Sequence, residues 1–153
     1  MSSVTFLVFS QSDDIALPVD RLTAQARAHF DAVLSATRPE DSGATRFAYA
    51  TRGARGEFDV SIRAAGAADV AGARQAERNG PGGGLADLAA RCKAVWSIEP
   101  SEQPPEWLAF EFYALLASVA LGPILTPDGS SLLGVRSARE RANRLRGGPT
   151  LMR

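Results

Sequence analysis

The 153-residue chain is 45% hydrophobic and 22% charged, and its 17 basic and 17 acidic side chains cancel to a formal charge of zero. That apolar fraction supports a core and excludes wholesale disorder, a collagen-like repeat and a polytopic membrane protein. Zero net charge argues against a generic nucleic-acid binder, whose affinity draws on excess Lys and Arg.

A lone cysteine, Cys92, forms no internal disulfide, so nothing calls for an oxidising compartment. The start, Met1-Ser2-Ser3, lacks a basic leader region. Arginine supplies all the basic residues except Lys93, and alanine is abundant, a bias expected of a high-GC bacterial genome. The expected setting is the bacterial cytoplasm.

In chain order, residues 4–9 are apolar on both faces and predict a central strand. Leu22, Ala26, His29, Phe30 and Val33 recur at helical spacing and predict an amphipathic helix from Asp20 to about Thr37. Residues 45–51 and 57–64 alternate as half-buried strands, joined through Arg52-Gly53-Ala54-Arg55-Gly56. A helix over 69–78 breaks at the glycine cluster and resumes over 85–92, and 94–98 forms a fourth strand. The order β-α-β-β-α-β is that of a ferredoxin-like sheet.

Residues 107–125 form the longest apolar run, with Glu111 as its only charge. A membrane helix needs about 20 such residues, but Pro104-Pro105 opens this run and Gly122-Pro123 breaks it, so a buried helix over 107–121 is expected. A hairpin around Pro127-Asp128-Gly129 follows. Ser137-Ala138-Arg139-Glu140 has the form of a capping box for a last helix, ended by Gly147-Gly148-Pro149. The expected architecture is one α+β domain, with a ferredoxin-like core (1–99), a C-terminal helix–hairpin–helix appendage (100–146) and a tail (147–153).

One histidine, His29, and one cysteine make a transition-metal site improbable, and no cofactor is expected. Cys92 with His29 is a poor nucleophile pair, because a helix C-terminus raises a thiol pKa. Asp13, Asp14 and Glu111 are the low-ranking catalytic candidates, the first two as a carboxylate Mg²⁺ site or simply as a solvated loop. Gly82, Gly83 and Gly84 precede a helix, a weak anion-binding feature with Arg78 and Lys93 as possible helpers, but neither a P-loop nor a dinucleotide fingerprint is present. Arg55-Gly56-Glu57-Phe58-Asp59 starts like an RNA-binding strand, then places carboxylates where base-stacking aromatics belong. Glu99, Glu102, Glu106 and Glu111 near Trp96 and Trp107 read as a solvated acidic connection rather than glycosidase carboxylates.

The favoured expectation is a protein-interaction module without catalysis of its own: an immunity-like toxin-neutralising factor, an adaptor or an assembly subunit. Its partner would be another protein or a second copy, not a membrane, with nucleic acid unlikely. Arg136, Arg139, Arg141, Arg144, Arg146 and Trp107 are its candidate contact residues. One alternative is a small-molecule enzyme or sensor with a pocket between sheet and appendage, using Asp13, Asp14, Arg63 or Glu111. Another is a basic terminal helix that binds an acidic partner or nucleic acid. The neutral total is a cancellation between segments: 94–135 holds five acids and no base, while 136–153 holds six arginines and Glu140.

Overall fold

Phe6-Leu7-Val8-Phe9 offers apolar side chains to both faces, and it lies inside a sheet in the computed structural model, which describes residues 5–14, 16–38, 43–80 and 83–147. Among these residues seven strands form one mixed α+β architecture with five helices. The strands are β1 (Phe6–Ser10), β2 (Val33–Thr37), β3 (Thr45–Thr51), β4 (Ala54–Ala64), β5 (Ala94–Ser101), β6 (Ile124–Leu125) and β7 (Leu132–Leu133). The helices are α1 (Val19–Phe30), α2 (Ala67–Asn79), α3 (Leu85–Ala90), α4 (Glu106–Ala120) and α5 (Val135–Leu145). The sheet order is β2-β3-β4-β5-β1-β6-β7, and every neighbouring pair is antiparallel.

This order departs from the ferredoxin-like expectation, in which β1 would lie between β4 and β5. Here β5 lies between β4 and β1, pairing with β4 over the full span Glu57↔Ser101 to Ala64↔Ala94. The α2–α3 segment leaves β4 and returns beside it, closed by the Ala65 N–H donating to the Lys93 carbonyl at 3.1 Å. It is a long excursion between adjacent antiparallel strands, not a crossover above an intervening one.

The second departure is β2, expected as the end of α1. Asp31 adopts the left-handed conformation (φ 52°) and stops the helix after Phe30. Residues 33–37 satisfy either periodicity, and as a strand they bury Leu34 and expose Val33, Ser35 and Thr37. The β3–β4 connection is also tighter than expected. Arg52 and Gly53 both have positive φ (53° and 79°), so a two-residue hairpin turn lets β4 begin at Ala54.

Residues 100–146 are no appendage. Twelve of the fifteen residues of α4 are buried, so this helix is the centre of the main core. Phe112 stacks on Phe58 (4.3 Å, 14°) and Tyr113 on Phe6 (4.1 Å, 28°), which ties α4 to β4 and β1. Each fully buried Phe or Leu here contributes about 1.5–3 kcal/mol. Gly56 permits the close approach, since a Cβ there would meet Pro104 Cβ at 2.8 Å and Leu108 Cδ2 at 3.0 Å. The hairpin after α4 forms around Pro127-Asp128-Gly129 and adds β6 to the free side of β1.

The helix α5 begins at Val135 with Gly134 as its cap, two residues before Ser137, so the expected capping box is not formed. Its Ala138 and Ala142 join the core with α1 and α4. A second cluster on the opposite face unites Phe9 and Val95 with Ala73, Ala76, Ala86 and Ala89 of α2 and α3. Among the described residues no helix is long and apolar enough to cross a membrane.

Candidate functional site

Where β1 begins and β5 ends, the sheet, the 99–106 connection, α4 and the 126–131 hairpin enclose a groove of about 860 Å³. Phe6, Phe110 and Tyr113 line it as an interlocked aromatic group, with Phe110 edge-on to both of the other rings (5.5 and 5.8 Å). Five carboxylates, Asp59, Glu99, Glu102, Glu106 and Asp128, and one cation, Arg141, share its walls. The walls are strongly acidic.

Three of these carboxylates have partners. Asp59 takes a bidentate pair from Arg46 (2.8 and 3.1 Å), directly across the β3–β4 register. Glu99 accepts the Thr5 hydroxyl at 3.2 Å. Asp128 accepts the Ser130 hydroxyl and amide and the Thr126 hydroxyl, and these bonds hold it below the usual carboxylate range. Glu102 and Glu106 are exposed and have no such bond among the described residues. Glu102 also sits at φ 58°, a left-handed conformation uncommon for a residue of its size.

Tyr113 is only 1% exposed, yet it lines the groove and its hydroxyl has no partner within the described chain. Every fully covered side-chain polar atom among the described residues is hydrogen-bonded, so this hydroxyl keeps a small accessible surface in a residue that lines the groove. Burial, and then the negative charge of Glu106, raises its pKa well above the ordinary phenol value. It remains a neutral hydroxyl that can donate and accept.

The expected site residues are dispersed. Asp13 and Asp14 are exposed in the β1–α1 connection, beyond the opposite end of β1 from the groove. No group of three or more metal-ligating side chains occurs among the described residues. Glu111 is buried on α4 outside the groove, where it accepts from Tyr49 (2.6 Å), Arg52 (3.0 and 3.2 Å) and Arg146 (3.5 Å). Arg63 pairs with Asp69, which also accepts the Gly66 amide at 2.8 Å. Cys92 is buried with its thiol on the Leu88 carbonyl, and burial raises its pKa; His29 is exposed and the two share no hydrogen bond.

Gly82 lies outside the described residues. Gly83 is exposed and Gly84 (φ 92°) caps α3, but the Ala86 amide is already taken by the Glu77 carboxylate at 3.2 Å. An anion there would compete with the protein's own carboxylate.

The terminal arginines are largely spent within the fold. Arg139 covers the Phe30 ring (4.2 Å) and donates to the His29 carbonyl, while Arg146 covers Trp107 (5.5 Å). Arg141 covers Phe110 at 5.1 Å on the groove wall. Arg136 and Arg144 are the exposed remainder. From sequence, Glu99, Glu102 and Glu106 belong to a solvated connection, Asp128 to a turn, Asp59 to the outward face of a strand and Arg141 to the contact residues. The available signal was the acidic segment 94–135, four of whose five acids line the groove. Comparison with protein-family models, curated proteins and solved structures yields no significant match.

Proposed function

We propose that this chain is a small protein-interaction module of the bacterial cytoplasm, of the immunity-like, adaptor or assembly-subunit kind, and that its contact face is the acidic groove rather than the arginines of α5. The supporting observation is that Glu102 and Glu106, neither hydrogen-bonded nor ion-paired among the described residues, line the same groove as a buried tyrosine whose hydroxyl has no partner there. Glu111 and Asp69, away from the groove, are ion-paired within the fold. A surface of this charge selects a basic partner and speeds its approach.

The test is recovery of cross-linked partners from the native host, using the tagged full chain, Glu102→Arg/Glu106→Arg, and Arg136→Ala/Arg144→Ala. The expected result is a partner retained by the arginine variant and lost on groove reversal. Loss with the arginine variant alone would move the contact face to α5. A chain that stays monomeric by light scattering and yields no partner would refute the module. An alternative, a pocket for a small cationic molecule, draws on the same Tyr113 hydroxyl and is detected by native mass spectrometry of the purified chain.

A further inference from the structure

If the groove is the contact face proposed above, its chemistry narrows the occupant, and we propose that it receives an arginine side chain from a basic segment of the partner protein. Two uncommitted carboxylates, Glu102 and Glu106, and the oxygen of a neutral phenol, Tyr113, share one groove. All three accept hydrogen bonds. A guanidinium is the side chain that answers such a set, because it presents five N–H donors in a fixed planar fork and accepts none. Ammonium offers three donors on a compact, strongly hydrated centre and spans the acceptors less well.

The groove already tolerates this group. Arg141 lies over Phe110 on its wall, so the aromatic lining accommodates a guanidinium beside the carboxylates. That leaves Glu102 and Glu106 for an incoming one. The groove volume exceeds one side chain, and further carboxylates, Glu99 and Asp128, continue along its walls, which fits an arginine carried on a peptide segment rather than a free small cation. The Tyr113 hydroxyl supplies geometry beyond charge, being fixed by the stacking of its ring on Phe6.

The probe is a terminally blocked Gly-Arg-Gly-Arg-Gly peptide, with its lysine and citrulline counterparts, titrated into the full chain and followed by NMR shifts of Tyr113 and Phe110. The arginine peptide is expected to bind about tenfold tighter than citrulline and measurably tighter than lysine. Glu102→Gln/Glu106→Gln is expected to weaken it about tenfold, and Tyr113→Phe by a few fold. Asp13→Asn/Asp14→Asn, which removes the same charge far from the groove, leaves it unchanged. Equal binding of lysine overturns the choice of guanidinium. Equal binding of citrulline, retention in the groove variant, or no binding at all overturns the proposal. Partner recovery on groove reversal then decides separately whether the groove is still a contact face with other chemistry.

Discussion

Glu111 is the one buried charge of α4, and the fold treats it as a structural hub. Its acceptance of the Tyr49 hydroxyl pairs a phenol that burial, and then the Glu111 bond and charge, hold protonated well above its ordinary range. Tyr49→Phe is expected to lower stability by about 1 kcal/mol in urea denaturation, the usual net value of such a bond. Arg52 is 40% exposed, so water screens its share of the network and the Arg52→Ala loss should be smaller still. Asp69 gives the pH dependence. The Arg63 pair, and then the Gly66 amide, hold its pKa below the ordinary value of 3.8, so its contribution is present above that value and is lost as pH falls through the lower folded value. Thermal stability should therefore decline between about pH 5 and pH 3, and Asp69→Asn should flatten that decline. A slope unchanged by the substitution would remove Asp69 as its source.

At the scale of elements, the close approach at Gly122 fixes how α4 turns into β6. A Cβ there would overlap the Phe9 carbonyl and come within 3.0 Å of the Cys92 thiol, with backbone on one side and a buried side chain on the other. Gly122→Ala should cost about 3 kcal/mol in chemical denaturation, whereas Gly43→Ala, with nothing within 4 Å, should be near neutral. Asp31 ends α1 in the left-handed region, where glycine is the better cap, so Asp31→Gly should stabilise by about 0.5–1 kcal/mol. The five-residue strand β2 shows why element type was ambiguous here. Val33, Leu34 and Ala36 suit a helical stripe and a strand alike, and only pairing with β3 chooses between them. The strands β3 and β4 were legible because they alternate with a period of two, and β1 because a short β-branched and aromatic run suits a strand buried on both faces. Strand order was not, since a strand's sequence records which faces are buried and not which neighbour it meets.

For the whole molecule, the cancelled net charge conceals a division of labour. The basic terminal helix folds back so that Arg139, Arg141 and Arg146 lie over rings of α1 and α4, and Arg146 reaches Glu111. Acidic groups at the groove are left with one cation among them. Association with a basic partner should therefore slow as salt rises through the range where the Debye length falls to about 10 Å. Glu102→Gln/Glu106→Gln should reduce that salt dependence while changing stability by no more than about 0.5 kcal/mol, because both side chains are exposed. Salt-insensitive association in the unaltered protein would rule out electrostatic steering by the groove.

Composition and periodicity alone determined an α+β chain with a buried apolar helix, a Pro-Asp-Gly hairpin and an acidic segment followed by a basic one. These are local properties, written in neighbouring residues. Tertiary structure decided that α4 is the core's centre, that β5 separates β4 from β1, and that Asp59, Glu99, Glu102, Glu106 and Asp128 meet around Tyr113. Asp59 and Asp128 lie on elements with no sequence relation to each other. Their convergence follows from which strands pair and how closely a glycine lets a helix approach, and both are settled by packing between distant parts of the chain.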